Sequence, residues 1–580
     1  MNSSATAGNR NSDNYGALPG PLLLIFLLFL VFVGSTNAYL PLLDWEITAL
    51  FGCFSVAFLL INLWEEKERK ARGVSFSSAT ICLFLFYFWS ALGYFYSVRL
   101  DMTIGFTARY LAGIVFGLGL ILYLRDIKQV TGIIRFLVLC AGVIALFGVL
   151  QLFAPALKTT SQDAFFTQSI FPNLNYYSFY LLIHLPLSSF LCFQETDKLM
   201  KKVWVAIFVF ILSAITISGS PGGQLTTLAL LLFIAGHLVK IRHEDLKMLM
   251  AMIVVSVSIY GILHLTLISG PEITSTDTAS GVSMQNRPWA WDHILNRFMY
   301  WQGAWKIFTD YWVTGSGPGT FSLLYLYTGF KYSTPNAHSL FFQTISDTGL
   351  VGISLLITSI ILFYSRVIVI LKNKSSQVRE LTFFLAVSMA GFLIHGLIEY
   401  HLGITIFIGF FTIIFILLDF ISRHEALVPE SRWIGRAVLV GGAVFIAVNA
   451  VLVFQFYSYQ NLVLGNIFKN QDSKQVGIDM KRAKFICSRC DFPYLIQGVR
   501  FLEDYKQSGD KKLLAQAEHE LNEALRLGKY NSHAQVFLGD IRTIQGRLED
   551  AKDFYLRVPA NHRMGALADA RLKRLEAMGE

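Results

Sequence analysis

The feature that most constrains the fold of this chain is a succession of apolar runs between Pro21 and Tyr457. The runs are about 20 residues long, enough for a helix to cross a hydrocarbon core of roughly 30 Å. A helix satisfies its own backbone hydrogen bonds in lipid, and no alternating strand pattern competes with this interpretation. Charged residues make up only 15% of the 580 residues, against about a quarter in ordinary globular domains. The sequence therefore predicts an all-α polytopic membrane protein.

We expect about 12–13 spans, and the boundaries of such predictions shift by a few residues. The thirteen candidates are 21–40, 45–64, 78–97, 104–124, 133–153, 172–193, 203–219, 222–239, 247–268, 339–370, 381–399, 402–420 and 437–457. Among the short loops, every second one carries several Lys or Arg residues, and the short loops between them carry one or none. Basic loops stay in the cytoplasm, so most of the net charge of +9 reflects topology and not nucleic-acid binding.

This orientation divides the chain into three predicted parts. Residues 1–20 form a polar, disordered cytoplasmic tail, because they make a poor signal peptide. Residues 21–457 form the transmembrane domain, whose large loop 269–338 lies on the extracytoplasmic side. With thirteen spans, the soluble domain 458–580 also lies outside.

The soluble domain shows an internal repeat. Ala517, Leu521 and Ala524 recur 34 residues later as Ala551, Tyr555 and Val558, and this is the period of the tetratricopeptide repeat. Stacked helix pairs of this kind form a groove for a protein partner. A plain helical cap on the membrane domain is the alternative interpretation.

Cysteine spacing adds one expectation for the soluble domain. Cys487 and Cys490 form a Cys-x-x-Cys pair, but no βαβ pattern supports a redox motif and one pair makes a poor zinc site. On the extracytoplasmic side the two residues could form a local disulfide. The other four cysteines lie in apolar helices, where they are packing residues.

Polar groups at the membrane boundary are the candidates for chemistry, because such groups are costly beside lipid. His338 lies at the start of the tenth span, with Asn336 before it and Asp347 after it. A histidine there can accept a proton near neutral pH, and an interfacial helix cap is the alternative. The preceding turn Gly315–Gly319 could expose backbone N–H groups as an anion nest.

Basic and amide side chains on the same side complete this set. Arg297 lies in an aromatic segment typical of an interfacial helix, where it could bind a phosphate or a lipid headgroup. Arg109 lies too deep in the fourth span to be unpaired. Asn173, Asn175 and Glu399 are further polar groups of the same side. His184, His264 and His395 are expected to be buried core histidines.

Taken together, four motifs resemble the O-antigen ligase family, which includes O-antigen polymerases and bacterial protein O-oligosaccharyltransferases. They are FPNLNYYSFYLLIHLPL, DYWVTGSGPGTF after Arg297, NAHSLFFQTISDTGLVG and LIHGLIEYHLGI, and their order and spacing cover about residues 80–420. Two positions depart from the family pattern. Pro221 occupies the place of an arginine implicated in binding the donor diphosphate, and Ser339 replaces the usual asparagine after the histidine.

The resemblance implies transfer of a glycan from an undecaprenyl-diphosphate-linked donor at the outer face of the bacterial cytoplasmic membrane, without a metal or other cofactor. His338 would activate or organise the acceptor hydroxyl, and Arg297 would stabilise the leaving diphosphate. Arg109, Arg287 or Lys331 would replace the missing arginine, with Asn173, Asn175, Asn336, Asp347 and Glu399 in support. The acceptor is left open among lipid A core, growing polysaccharide and protein.

Two other functions compete with this enzyme. A transporter or flippase for a lipid-linked glycan would show internal repeats and helices broken near the midplane. The sequence shows no clear repeat between its halves, and its polar residues cluster on one side, which favours the enzyme. A catalytically inactive scaffold that displays the repeat domain is the third possibility, because Pro221 removes an expected charge.

Overall fold

The computed structural model describes residues 20–32, 44–68, 76–154, 169–268, 291–330, 334–373, 376–424 and 473–579, with scattered positions between 444 and 462. In these ranges the chain is helical and contains no strand, so the predicted all-α class is confirmed. The helices are α1 Pro21–Phe32, α2 Asp44–Glu68, α3 Ser78–Ala91, α4 Gly93–Tyr96, α5 Leu100–Tyr123, α6 Ile127–Phe153, α7 Leu174–Gln194, α8 Lys198–Ile217, α9 Pro221–Ile241, α10 His243–Ile268, α11 Trp291–Asp310, α12 Phe321–Tyr325, α13 Leu340–Asn373, α14 Ser376–Gly396, α15 Thr405–His424, α16 Ser473–Ile486, α17 Phe492–Ser508, α18 Lys511–Leu527, α19 Ser532–Ile544, α20 Leu548–Leu556 and α21 Gly565–Gly579.

Eleven stretches of the described helices are long and apolar enough to cross a membrane, and each overlaps one predicted span. The multi-pass prediction is therefore confirmed for these eleven. The predicted first span is helical over Pro21–Phe32, and its remainder lies outside the described residues. Most of the predicted span 437–457 and the tail 1–19 also lie outside them.

The bundle is centred on α5, α7 and α15, whose spanning stretches are almost entirely buried. Helix α5 packs against α2, α3 and α15, and α7 packs against α6, α8, α9 and α14. Because the helices alternate in direction, the N-termini of α5, α7, α9 and α13 and the C-termini of α3 and α14 lie at one end. We call this the site end of the bundle.

Helix α13 is broken at Gly349, which has φ +64° and ψ −165°. The backbone of residues 312–317, just after α11, forms hydrogen bonds with α13 at the break. The N–H groups of Ser316 and Gly317 donate to the carbonyl oxygens of Ser346 and Asp347, at 2.9 and 3.0 Å. In return, the N–H of Leu350 donates to the carbonyl of Trp312 at 2.8 Å. The loop therefore replaces hydrogen bonds that a continuous helix would make with itself.

Two glycines make this interlock sterically feasible. Gly315 has φ +75°, and a Cβ there would lie 2.3 Å from the backbone of Asp347. A Cβ on Gly349 would lie 2.3 Å from the carbonyl oxygen of Val313. Only glycine avoids both the left-handed strain and the backbone clash at such positions.

The predicted anion nest at Gly315–Gly319 is wrong for the first three residues of the turn. The N–H of Gly315 donates to the carbonyl of Tyr311 at 2.8 Å, and those of Ser316 and Gly317 are used by α13. Backbone donors that already serve carbonyl groups are not free to bind an anion. At these three residues the turn is a structural joint.

Helices α16–α21, residues Ser473–Gly579, pack against one another in chain order from α16 to α21, and we call them the C-terminal unit. The unit docks on the site end of the bundle. Arg99, just before α5, lies 2.9 Å from a carboxylate oxygen of Asp491, and Asp101 completes the ion-pair cluster at 2.8 Å. Arg489 donates to the carbonyls of Tyr94 and Phe95, each at 3.0 Å.

The cluster around Asp491 is buried and shared between both parts of the protein. The Asp491 side chain is 1% exposed, and its second oxygen accepts a hydrogen bond from Asn531 at 2.8 Å. Cys487 and Cys490 are joined by a disulfide immediately before it, with their Cα atoms 5.4 Å apart. Asp491 therefore holds α5 and the start of α19 to the same point.

Replacing Asp491 with alanine should loosen the C-terminal unit. Arg99 and Asn531 would each lose an acceptor, but Asp101 would still neutralise Arg99. We expect the unfolding free energy to fall by about 2 kcal/mol, below the range for a buried pair that is broken outright. Thermal unfolding in detergent and protease sensitivity of residues 473–579 would measure the change. Asp504→Ala, at an exposed position on α17, is the control, and equal effects of the two variants would contradict this account.

Candidate functional site

Four side chains at the site end form one chain of hydrogen bonds. The Oγ of Ser220 donates to the Oδ1 of Asn175 at 2.8 Å, and the Nδ2 of Asn175 donates to the Oε2 of Glu399 at 3.0 Å. The other Glu399 oxygen, Oε1, lies 2.9 Å from the Nδ1 of His338. Asn175 lies in the first turn of α7 and Ser220 just before α9, whereas His338 and Glu399 lie in the loops beside α13 and α14. We call them the site network.

His338 lies at the end of the site network, and only its Nδ1 takes part in the network. Its side chain is 27% exposed, whereas that of Glu399 is 3% exposed. Because Nδ1 faces the carboxylate, Nε2 is the ring nitrogen that the network leaves open. Among the described residues, nothing forms a hydrogen bond with this Nε2. A carboxylate behind an imidazole fixes the ring orientation and stabilises the imidazolium form.

The loop that carries His338 is held in an uncommon conformation. His338 has φ +46°, which is rare for a residue other than glycine. Its N–H donates to the Oδ1 of Asn336 at 2.9 Å, and the N–H of Ala337 donates to Gln343 at 2.7 Å. Gln343 in turn donates to Asp347 at 2.9 Å. Asn336 and Asp347 therefore support the loop, and residues held in such φ regions are often found at functional sites.

Glu399 lies in the turn between α14 and α15, although the predicted span 381–399 placed it at a helix end. Burial by itself raises the pKa of Glu399. The hydrogen bond with His338 and the charge of that ring lower the pKa by more than burial raises it. The net result is a pKa below the ordinary value. Glu399 is therefore an anion paired with His338, suited to stabilise a positive charge on that ring.

Arg297 reaches the same region from α11. Within the part of the chain that the structure describes, the buried Nε of Arg297 has no hydrogen-bond partner. Its charge acts on His395, which neighbours the site network. One turn further along α11, the ring of Tyr300 lies 5.5 Å from the ring of His338. A partly buried guanidinium without a carboxylate partner is suited to bind an anionic ligand.

Arg109, a predicted diphosphate ligand, is used inside the protein. It is 2% exposed, and its Nε donates to the Oγ1 of Thr48 at 2.9 Å. It also donates to the carbonyl of Gly403, in the turn that carries Glu399. Arg109 therefore links α2, α5 and that turn. It supports the site indirectly, through the turn that carries Glu399.

The remaining predicted residues have separate places. Asn173 caps α7, where its side chain accepts the N–H of Tyr176 at 2.9 Å. Arg287 and Lys331 lie outside the described residues, as does the side chain of His264. His184 is a buried histidine whose Nδ1 lies 2.6 Å from the carbonyl of Tyr180.

Sequence reasoning missed two parts of the site. Ser220 precedes Pro221 and caps α9, and this Ser-Pro pair at a helix start is the signal that could have revealed its role. His401 is the second part, and its sequence position in LIHGLIEYHLGI does not reveal its contacts. Its Nε2 lies 2.8 Å from the Nδ1 of His395, and its ring stacks on Phe179 with centroids 3.4 Å apart. Burial, followed by the nearby His395, lowers the pKa of His401 well below its ordinary value.

The described residues contain no group of three or more His, Cys, Asp or Glu side chains that could hold a metal ion. What they do contain is a proton acceptor backed by a carboxylate and a nearby guanidinium without a partner. Such a set can activate a hydroxyl group and stabilise a leaving anion.

The pairing of His338 with Glu399 predicts a pH dependence of stability. Because the pKa of Glu399 is lowered, the pair stabilises the fold fully above the ordinary carboxyl pKa of about 4.5 and loses this effect as the pH falls through the lowered value. The unfolding temperature of the native protein minus that of Glu399→Gln should therefore shrink as the pH falls below about 5 towards the lowered pKa of Glu399. A difference that already vanishes near pH 6 would contradict the pairing.

Residues 206–357 match the family model described as O-antigen ligase. The matched stretch contains Ser220, Arg297 and His338, whereas Asn175 and Glu399 lie outside it. No curated protein matches the chain. The match agrees with the family resemblance of the motifs and supports a glycosyltransferase-type membrane enzyme that acts in surface-polysaccharide synthesis on a lipid-linked glycan and an acceptor.

Proposed function

We propose that this protein transfers a glycan from an undecaprenyl-diphosphate-linked donor to an acceptor hydroxyl at the outer face of the bacterial cytoplasmic membrane. The observation that carries the proposal is the His338–Glu399 pair, with Nε2 of His338 facing outward from the site network. The match of residues 206–357 to the O-antigen ligase model supports the reaction class.

In the proposed reaction, His338 Nε2 accepts the proton of the acceptor hydroxyl. The hydroxyl oxygen forms a bond to the anomeric carbon of the glycan, and the bond from that carbon to the diphosphate oxygen breaks. Glu399 stabilises the imidazolium that results, because it lies 2.9 Å from Nδ1. The electron pair of the broken bond leaves with undecaprenyl diphosphate, whose negative charge Arg297 neutralises.

Diphosphate is a good leaving group, so positioned cations are the main requirement of this step. Arg297 is our first candidate, because its Nε is buried and unpartnered among the described residues. Arg287 and Lys331 are further candidates, since they flank the described part of the same loop. Arg109 acts indirectly, through the turn that it holds.

We infer the orientation from the basic loops. They place the site end and residues 458–580 on the extracytoplasmic side and residues 1–20 in the cytoplasm. The Cys487–Cys490 disulfide is consistent with an oxidising compartment. The packing of successive helices in residues 473–579 supports a tetratricopeptide-like domain that could bind a protein partner.

His338→Ala should lower kcat by about 100-fold to 10,000-fold, because general-base catalysis contributes on this scale. The measurement is transfer by the purified protein from a lipid-linked oligosaccharide to the acceptor. His519→Ala, at an exposed position on α18, is the matched control and should keep full activity. Full transfer by the His338 variant would refute the assignment. Mass analysis of the product separates ligase, polymerase and protein oligosaccharyltransferase activities.

The orientation predicts which introduced thiols are accessible from outside. In whole cells, a reagent that cannot cross membranes should label Lys506→Cys, on α17, after it enters the periplasm. It should not label Lys198→Cys, at the start of α8, until the membrane is opened. Both lysine positions are exposed on the surface of the protein, so the protein itself shields neither thiol from the reagent. Labelling in the reverse pattern would refute the proposed orientation.

A further inference from the structure

A short stretch before His338 connects the C-terminal unit to the candidate site. We call residues 321–330 the junction segment; it contains α12 and a 3-10 turn, Leu326–Thr328. The hydroxyl of Tyr327 donates to the carbonyl of Tyr530 at 3.0 Å and lies 2.6 Å from the Oγ of Ser532. The rings of Tyr327 and Tyr530 are 4.8 Å apart. Contacts of this kind fix both the position and the rotation of Tyr327.

A second contact fixes the end of the junction segment. Asn561, between α20 and α21, donates to the carbonyl of Phe330 at 2.7 Å. From the other side, Lys306 on α11 donates to the carbonyl of Thr328 at 3.0 Å. The segment is thus held between the C-terminal unit and α11.

Tyr530 itself has little freedom. The next residue, Asn531, caps α19 by accepting the N–H of Ala534 at 3.0 Å, and it donates to the buried carboxylate of Asp491. The hydroxyl of Tyr530 also lies 3.1 Å from that of Tyr311, just after α11. Because Asp491 pairs with Arg99, the position of Tyr530 is set relative to the membrane helices.

From the junction segment, ring contacts lead to His338. Phe330 stacks on Tyr325 with centroids 5.6 Å apart, and Tyr325 meets Tyr300 edge-on at 5.7 Å. Tyr300 lies 5.5 Å from His338. The Tyr325 ring is fully buried against α11 so closely that a Cβ on Gly303 would lie 2.3 Å from it. Since close-packed rings transmit small displacements, the place of α11 depends on Tyr325.

We propose that the C-terminal unit is a positioning element of the candidate site. Through Tyr530, Ser532 and Asn561 it holds the junction segment, and through Tyr325 it sets where α11 presents Tyr300 and Arg297 to His338. The inference rests on the proposed function, because it assigns these contacts a role in turnover. Reactions between positioned groups are sensitive to displacements of about 1 Å, so a distant contact can affect rate.

The test combines Tyr327→Phe with Asn561→Ala, which removes both sets of hydrogen bonds and keeps the aromatic ring. The matched control is Tyr505→Phe with Asn522→Ala in α17 and α18. In the described part of the chain, these two control side chains have no hydrogen-bond partner. The measurements are hydrogen–deuterium exchange of peptides covering residues 321–330 and steady-state kinetics of the purified full-length protein.

We expect faster exchange in residues 321–330 of the test variant and a fall in kcat of about tenfold, with the KM for donor changed less than about twofold. A loss of kcat without a change in KM indicates a group misplaced in the transition state. The control should match the native protein in both measurements. Unchanged exchange in the test variant, or faster exchange with unchanged kcat, would overturn the proposal. So would equal effects in the control.

The Tyr327→Phe single variant and the result for His338→Ala keep the outcome interpretable. If the double variant unfolds at a much lower temperature than its control, Tyr327→Phe alone is used, since it removes only one hydroxyl group. If His338→Ala transfers glycan at the full rate, the proposed function fails, whereas the exchange result still reports on how the junction segment is held. Failure of the two proposals is therefore distinguishable.

Discussion

The structure depends most on the joint between the glycine-rich turn and the break in α13. At Gly349 the helix gives up its own hydrogen bonds, and Ser316, Gly317 and Trp312 replace them. Trp89 of α3 adds a bond from its indole to the carbonyl of Thr348 at 2.9 Å. The first turns of α13 carry Gln343, which holds the backbone beside His338. The joint thus packs the turn against α13 and also supports the loop that carries His338.

At the site end, the polar residues differ in burial and in pairing, and their roles differ accordingly. Glu399 is enclosed and paired, so it can hold and charge-stabilise His338 but cannot readily meet a substrate. His338 is the more exposed partner, and Arg297 is close to the site and unpaired among the described residues. Arg109 is buried and committed to Gly403. This division follows the rule that buried charges need partners, whereas a functional charge must keep one face for its ligand.

The length of the apolar runs was sufficient to predict the eleven spans found in the described residues, because about 20 apolar residues leave a chain few alternatives to a span. The motifs also placed His338, Asn175 and Glu399 in one set. Sequence could not show that Glu399 pairs with His338, since the contact joins residues 61 positions apart across a tertiary interface. The anion nest predicted at Gly315–Gly319 was wrong for the first three residues, because glycines with positive φ occur in a helix joint as well as in an anion nest. The Ser-Pro pair reveals only that Ser220 caps α9; its hydrogen bond to Asn175 depends on the position of α7, which no local pattern encodes.

The central claim is that the chemistry takes place at the outward face of His338, between this ring and Arg297. The most direct measurement is a structure of the full-length protein with a non-hydrolysable undecaprenyl-diphosphate glycan bound. The account predicts the diphosphate within hydrogen-bonding distance of Arg297 and the anomeric carbon on the side of His338 where Nε2 faces outward. A donor whose diphosphate binds at the opposite end of the bundle, or whose sugar lies away from His338, would contradict it.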